Sequence, residues 1–230
     1  METPKIIFED EYLIVLDKPS GWITDSANTT RNQPVIQEWV AENCQFLINN
    51  FQYRNGIVHR LDKETSGILL IAKTVESLEE LQRQFKERLI EKTYIALVHG
   101  KVEQSEGVIN ETVGRLPWRR DRFGVMNGGK EAVTNYRKII DYRIENKDHS
   151  LLELKPKTGR THQIRIHLKH LGHPIVADEF YTGRKTARND RRWCPRLFLH
   201  AGRIKLSHPI TKEVIEFESP LPVSLAAILK

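Results

Sequence analysis

The chain has 230 residues and a formal net charge of +6, from 36 Lys and Arg against 30 Asp and Glu. This length suits one large domain or two small ones, and no apolar run is long enough to span a bilayer. The charge fits a polyanionic partner, although a basic soluble protein fits it equally well. The two cysteines form no CxxC pair, so zinc-finger and disulfide frameworks are excluded. We therefore expect a cytoplasmic protein.

The apolar pattern predicts a mixture of strands and helices along the chain. The predicted strands are 12–16, 68–72, 92–99, 132–142, 151–154, 197–206 and 214–217. The predicted helices are 34–43, 76–88, 162–171 and 221–229. The stretch 107–130 has no regular pattern. Because the order lacks strict βαβ alternation, it predicts an α+β fold with a mixed or antiparallel sheet.

Several common catalytic motifs are absent from the sequence. There is no GxxxxGK[ST] loop, no GxGxxG after a strand, no HExxH and no GxSxG. Four histidines lie between positions 162 and 173, but this segment has no carboxylate or cysteine, and Arg165 and Lys169 would repel a cation. We therefore expect no metal site.

The segment His59–Gly67, with the sequence HRLDKETSG, resembles the signature of the RluA family of pseudouridine synthases. Further stretches agree with that family and follow in the same order. Together they span nearly the whole chain: Lys18–Trp22, Lys92–Val98, Thr158–His167, Leu171–Ile175 and Leu199–Ala201.

The resemblance implies both a fold and a function. The fold is an α+β pseudouridine synthase core, with a bent, mainly antiparallel mixed sheet flanked by helices and a central RNA-binding cleft. We expect residues 1–230 to form one catalytic domain, without the N-terminal S4 domain that relatives often carry. The implied function is isomerisation of specific uridines in 23S-type rRNA, tRNA or both, without a metal or organic cofactor. RNA is then the partner, and neither a membrane nor an obligate protein partner is expected.

The resemblance also implies roles for individual residues. Asp62 matches the catalytic aspartate, Tyr94 the active-site tyrosine, and Arg165 the basic residue that pairs with the aspartate. Arg60 matches an arginine that relatives insert into the space left by the flipped nucleotide. Other residues of the matched motifs are expected to bind the substrate RNA or to line the uracil pocket: His59, Thr65, Arg160, His162 and Ile166.

One carboxylate suits this chemistry. Breaking the C1′–N1 bond builds positive charge on the ribose, which a carboxylate can stabilise, trap covalently or relieve by taking a sugar proton. The sequence leaves these three roles of Asp62 open. A second acid is not required, because the uracil leaves as a stabilised anion and is reused. The C5 proton remains for Tyr94 to accept or relay, and the target uridine must first flip out of its helix.

Two other functions remain open from the sequence. One is a non-catalytic RNA-binding protein, which the joint presence of Asp62, Tyr94 and Arg165 disfavours. The other is a metal-dependent hydrolase with an aspartyl nucleophile, which would need more acidic neighbours than Glu64. Two basic segments are candidate RNA contacts: 184–192, and 115–123 with its aromatic residues Trp118 and Phe123. A solvated loop is an equally good interpretation of 115–123.

Overall fold

The computed structural model of the chain describes residues 2–30, 32–117 and 119–230, so Trp118 lies outside the described residues. The strands are β1 (Lys5–Glu9), β2 (Leu13–Lys18), β3 (Ser66–Ala72), β4 (Glu91–His99), β5 (Glu106–Leu116), β6 (Arg119–Val125), β7 (Lys130–Ile144), β8 (Lys147–Pro156), β9 (Leu199–Ser207) and β10 (Val214–Glu218). The α-helices are α1 (Ile36–Asn43), α2 (Val75–Lys86), α3 (Gln163–His170), α4 (Arg184–Asp190) and α5 (Val223–Ala226). None of the helices in the described ranges is both long and apolar enough to cross a membrane.

The chain divides into two compact units. The first comprises Met1–Lys92 and Ala201–Pro220, and the second comprises Thr93–His200 and Leu221–Lys230. The strand order is β1-β2-β3-β9 with β10 beside β9 in the first unit, and β4-β8-β7-β5-β6 in the second. Seven strand pairs of the described ranges are antiparallel: β1–β2, β2–β3, β9–β10, β4–β8, β5–β6, β5–β7 and β7–β8. The predicted α+β class with mainly antiparallel strands is therefore confirmed, whereas a single domain stays a prediction.

The core of the first unit is built on β2 and β3. Leu13–Leu16 and Ile68–Ala72 are buried along their whole length, because both strands have continuous apolar sequences. Helix α2 contributes Leu78 and Leu81 to the same cluster, and it begins at a capping box in which Thr74 is the N-cap residue. The turn that carries Asp62 leads directly into β3, so its C-terminal end is anchored to a buried strand.

Gly67 allows β3 to approach β9 closely. Its φ is +113°, and a Cβ built at this position would lie 2.2 Å from the carbonyl oxygen of Ala201. Only glycine fits such a contact at such a φ. The final residue of the HRLDKETSG motif is therefore required by packing.

The second unit is built on a sheet of long strands around β7 and β8. Its core includes Leu152 and Leu154 from β8, and Ile164 and Leu168 from α3. Helix α3 is thereby fixed on the sheet by its apolar side, which also fixes the polar residues on the rest of the helix.

The prediction of an irregular stretch at 107–130 was wrong, because this stretch contains β5 and β6 and the start of β7. Strand β6, with the sequence RRDRFGV, lies at the end of the strand order. An edge strand can be rich in charge, so its sequence lacks the apolar alternation that predicts a strand. The basic segment 184–192, to which no element was assigned, contains α4.

Candidate functional site

Asp62 lies in a tight turn just before β3. The N–H of Thr65 donates to the carbonyl oxygen of Asp62 over 3.1 Å and closes the turn. The preceding residue, Leu61, is buried. The hydroxyl of Thr24 donates to the carbonyl of Leu61 over 2.8 Å and accepts from its N–H over 3.2 Å. The backbone is therefore held on both sides of Asp62, whose side chain is half-buried.

The early loop, Lys18–Thr24, holds the far side of the same turn. The N–H of Gly21 donates to the carbonyl of Lys63 over 2.8 Å. The hydroxyl of Ser20 donates to the carbonyl of Glu64, also over 2.8 Å. Since these bonds are made to backbone atoms, they constrain the path of the Asp62 turn independently of its side chains.

Lys18 joins the early loop to the Asp62 turn. Its side chain is completely buried, with a relative exposure of 0%. The ammonium donates to the carbonyl oxygens of Pro19 over 3.0 Å, Trp22 over 2.9 Å and Lys63 over 3.3 Å. An ammonium has three N–H donors and no acceptor, so these carbonyls offset much of the cost of burying its charge.

His59 links the start of the motif to β3. Its Nε2 accepts a hydrogen bond from the N–H of Leu70 over 3.0 Å, and its ring lies 4.8 Å from that of Phe85. Burial of the imidazole, together with the charges of Lys92 and Arg54, lowers the pKa of His59 to about 3. The side chain is therefore a neutral hydrogen-bond acceptor that anchors the motif, and its predicted contact with RNA stays a prediction.

Arg60 and Thr65 differ in their access to solvent. The side chain of Arg60 is 70% exposed and lies 3.4 Å from a carboxylate oxygen of Asp25. An exposed ion pair of this kind contributes about 0–1 kcal/mol, so the guanidinium can leave it easily. Thr65 is buried, and its hydroxyl has no hydrogen-bond partner among the described residues. Contact between the Thr65 hydroxyl and RNA would therefore require the turn to move.

Arg165 lies on α3 in the second unit and is buried. Its Nε donates to Oδ2 of Asp178, and its Nη2 donates to Oδ1 of the same residue, each over 2.8 Å. The guanidinium carbon lies 5.3 Å from the ring centre of Phe180 and 5.1 Å from that of Tyr181. Sequence reasoning missed Asp178, because an acid in a turn has no periodicity or motif that distinguishes it.

Three of the predicted binding residues surround the start of α3. His162 Nδ1 lies 2.8 Å from the hydroxyl of Tyr181, and Arg160 Nε donates to the carbonyl of Glu131 over 3.1 Å. Ile166 is 3% exposed and packs in a cluster that includes Tyr181 and Val113. These residues are built into the local structure, and their contacts with RNA and uracil stay predictions.

Tyr94 lies on β4, where it pairs opposite Leu154 of β8. Its ring is partly buried against the core of the second unit. Asp62 belongs to the first unit, whereas Tyr94 and Arg165 belong to the second. The joint action of these three residues, including the pairing of Asp62 with Arg165, stays a prediction.

The basic side chains of segments 115–123 and 184–192 have different surroundings. In the first segment, Arg115 lies 5.0 Å from the ring centre of Phe123, and Arg122 lies 4.3 Å from that of Phe180. In the second segment, α4 buries Ala187 and Asp190. Three exposed side chains of α4 carry positive charge: Arg184, Lys185 and Arg188. Arg192, which follows the C-cap residue, is also exposed.

Comparison with known proteins gives consistent matches. A family model described as RNA pseudouridylate synthase matches residues 12–170. Ribosomal large subunit pseudouridine synthase D of Nitrosomonas europaea is 40% identical over 236 residues, which cover 98% of this chain and 64% of that relative. The protein of the same name from Pseudomonas aeruginosa is 37% identical over 95% of this chain and 68% of its own length. This chain thus spans about two thirds of these relatives.

A solved structure supports the same comparison. Human RNA pseudouridylate synthase domain containing 1 has a TM-score of 0.78 with this chain, at 26% sequence identity. The match covers 99% of this chain and 88% of the human one. The similarity therefore extends over both compact units.

The substitution Lys18→Met tests the link between the early loop and the Asp62 turn. It keeps a long apolar stem but removes the ammonium, so buried carbonyl groups lose their donor. We expect the free energy of unfolding to fall by roughly 2–4 kcal/mol, since an unsatisfied buried acceptor costs about 1–3 kcal/mol. Urea denaturation measures this change. The control is Lys63→Met at an exposed lysine, expected to change stability by less than about 0.5 kcal/mol. Equal midpoints for the two variants would contradict the role of Lys18.

The substitution His59→Gln tests the neutral imidazole. The pKa of His59 is about 3 in the folded chain, against 6.5 for an ordinary histidine. Between these pH values the unfolded chain binds a proton that the folded chain does not. The stability that neutral His59 contributes is therefore complete above pH 6.5 and declines as the pH falls towards 3. We expect His59→Gln, which retains an acceptor for Leu70, to flatten the pH dependence of the unfolding free energy in this range.

Urea denaturation at a series of pH values measures that slope. The matched control is His170→Gln, because His170 is exposed, and we expect this variant to keep the wild-type slope. A wild-type slope in His59→Gln as well would show that His59 is not the neutral anchor described above.

Proposed function

Because the chain belongs to the RNA pseudouridylate synthase family, whose members are isomerases, we propose that it converts specific uridines in structured RNA to pseudouridine. The observation that carries the proposal is the Asp62 turn, whose backbone is bonded on both sides by the early loop. A carboxylate that must act on a short-lived positive charge on the ribose needs a fixed position before the reaction begins.

The proposed reaction rearranges bonds without adding or removing atoms. The C1′–N1 bond breaks, and its electron pair leaves with the uracil, so positive charge develops on the ribose. The uracil rotates and C5 bonds to C1′. The proton on C5 then departs and N1 gains one, which makes the product an isomer of the substrate. Asp62 acts on the ribose by stabilising its positive charge, as a covalent nucleophile, or as a base for a sugar proton.

Tyr94 and Arg165 are proposed to serve the same reaction. Tyr94 accepts or relays the C5 proton, and an ordinary tyrosine pKa near 10 means that its surroundings must assist this step. Arg165 keeps Asp62 ionised and oriented through directional N–H donors. Correspondence with the family motifs supports both roles, together with the rigid positions of β4 and α3 in the core of the second unit.

Arg60 is proposed to occupy the space that the target nucleotide leaves when it flips out. Flipping costs a few kcal/mol because stacking and pairing are lost. A flat guanidinium can stack in the vacated position and also contact phosphate. Its high exposure and weak ion pair with Asp25 support this role, since little local structure must break to release it.

The RNA target is proposed to be ribosomal RNA of the large subunit, with tRNA as the alternative. The bacterial relatives reported above are named for the large ribosomal subunit, and the net charge of +6 fits a polyanionic substrate. A cytoplasmic location and activity without an obligate protein partner are part of the same proposal.

The substitution Asp62→Asn tests the proposed catalytic acid. Wild-type protein is expected to release tritium from RNA labelled at uridine C5, because pseudouridine formation displaces that hydrogen. Asp62→Asn is expected to lower the rate at least a thousandfold, since the amide has no charge to offer the ribose. RNA affinity is expected to stay within about tenfold, equivalent to ~1.4 kcal/mol. Tritium release and filter binding measure the two quantities.

Glu64→Gln is the control, because it removes the neighbouring carboxylate in the same loop. Its rate is expected to stay within about threefold of the wild type. Full activity in Asp62→Asn would refute the assignment, and absence of release by wild-type protein from large-subunit rRNA and tRNA would favour the RNA-binding alternative. Loss of turnover with a chelating agent would instead favour the metal-dependent hydrolase.

Replacing Arg184, Lys185 and Arg188 by alanine tests whether α4 contacts RNA phosphates. We expect weaker RNA binding and a slope of log affinity against log salt that is shallower by about 2, since each phosphate contact contributes ~0.7–0.9. The maximal rate at saturating RNA is expected to stay near the wild-type value.

The matched control removes the same charge from exposed lysines elsewhere in the second unit: Lys101, Lys147 and Lys155. A smaller change in the slope is expected for this variant. Equal changes in the two triple variants would indicate a general effect of net charge and would contradict a specific role for α4.

A further inference from the structure

The carboxylate of Asp178 is fully buried, with a relative exposure of 0%. It accepts hydrogen bonds from Nε and Nη2 of Arg165. Its Oδ1 also accepts from the backbone N–H groups of Phe180 over 2.9 Å and Tyr181 over 3.2 Å. Four N–H groups thus converge on one carboxylate, so its charge is well compensated despite burial.

The backbone beside Asp178 is strained and held in place. Ala177 has a φ of +60°, a left-handed conformation that costs an L-residue with a side chain roughly 1–2 kcal/mol. Its N–H donates to Oδ2 of Asp190 over 2.9 Å, and its carbonyl accepts from Arg191 over 3.1 Å. Strain of this kind persists only where the surroundings enforce it. Helix α4 therefore fixes the point from which Asp178 reaches Arg165.

The ion pair with Asp178 determines the orientation of the Arg165 guanidinium. Both bonds use the Nε/Nη2 edge, so the Nη1 side of Arg165 is directed away from Asp178. The rings of Phe180 and Tyr181 lie within 5.3 Å of the guanidinium carbon, which further restricts its rotation. A buried bidentate pair leaves an arginine far fewer orientations than a single contact would.

We propose that Asp178 is a positioning residue for the isomerisation and acts through Arg165. This inference rests on the proposed function, in which Arg165 orients the catalytic aspartate. Asp178 contacts Arg165 and backbone N–H groups, so its effect on the reaction is indirect. The partial neutralisation of Arg165 by Asp178 also means that the arginine contributes directed N–H donors more than net positive charge.

Asp178→Asn is the informative variant because it preserves size while removing charge. An amide offers one acceptor oxygen, and its NH₂ group would face an N–H donor of Arg165. One of the two bonds is lost, and the guanidinium is no longer held in one orientation. We expect the single-turnover rate at saturating RNA to fall at least tenfold, with KM within about threefold, because RNA binding does not depend on this orientation.

Asp190→Asn is the matched control. Asp190 is also buried and anchors the same segment, through the N–H of Ala177 and through His99 Nε2 at 2.9 Å. Neither of these two contacts involves Arg165. The amide oxygen of Asp190→Asn can still accept from the N–H of Ala177, so the segment that carries Asp178 stays held. We expect Asp190→Asn to lower the melting temperature about as much as Asp178→Asn does, while its rate at saturating RNA stays within about twofold of the wild type.

A double variant separates positioning from general loss of structure. If Asp178 acts through Arg165, Asp178→Asn should cause no further rate loss in an Arg165→Gln background. Asp178→Glu, which keeps the charge, should recover part of the rate lost in Asp178→Asn. Multiplicative losses in the double variant, or equal rates for Asp178→Asn and Asp190→Asn, would overturn the proposal.

Nuclear magnetic resonance provides a readout that does not depend on activity or on a variant that folds. In wild-type protein labelled with ¹⁵N-arginine, the Arg165 Nε–H is expected to exchange with solvent at least a hundredfold more slowly than that of exposed Arg60. Rapid exchange would overturn the role of Asp178. If the exchange is slow but the wild type releases no tritium from RNA, the ion pair stands and the proposed function fails.

Discussion

The candidate site depends on the buried side chain of Lys18, whose positive charge is compensated by backbone carbonyl groups. A fully buried ammonium is expensive, and the only groups that lower this cost are acceptors arranged around it. In the first unit those acceptors include carbonyls of the early loop and of the Asp62 turn. Because the charge of Lys18 requires acceptors from both segments, its side chain joins the early loop to the Asp62 turn. The buried apolar strands β2 and β3 support these two segments. Asp62 consequently projects from a backbone that the surrounding hydrogen bonds hold in place.

The second unit uses the reverse arrangement, in which a buried carboxylate holds a cation. Asp178 gathers N–H groups from Arg165 and from its own loop, while α4 secures the adjacent strained residue. Each unit thus compensates a buried charge within itself. This arrangement suits the proposed isomerisation, which would consume no second substrate and would gain its rate from groups oriented in advance. In the proposed function, contacts with the RNA backbone are left to exposed basic residues.

The segments to which the candidate residues belong were predictable because they resemble the motifs of a known family. HRLDKETSG indicated the Asp62 loop, and the continuous apolar runs indicated β2 and β3. Burial of Lys18 was not predictable, since lysine is among the residues least often buried. The partnership of Arg165 with Asp178 spans 13 residues and follows no helical or strand period. Strand β6 and helix α4 were not predicted because both have mostly charged or polar sequences. Such sequences lack the apolar periodicity from which a strand or helix is predicted.

The most direct test of the preformed Asp62 turn is native-state hydrogen exchange on the wild-type protein without RNA. The informative amides are those of Gly21, Leu61 and Thr65, which donate to Lys63, Thr24 and Asp62. We expect all three to exchange nearly as slowly as the amides of β3, because in a preformed turn they open only when the unit unfolds. Exchange at the rate of an exposed loop would show that the turn is mobile and would contradict a preformed position of Asp62.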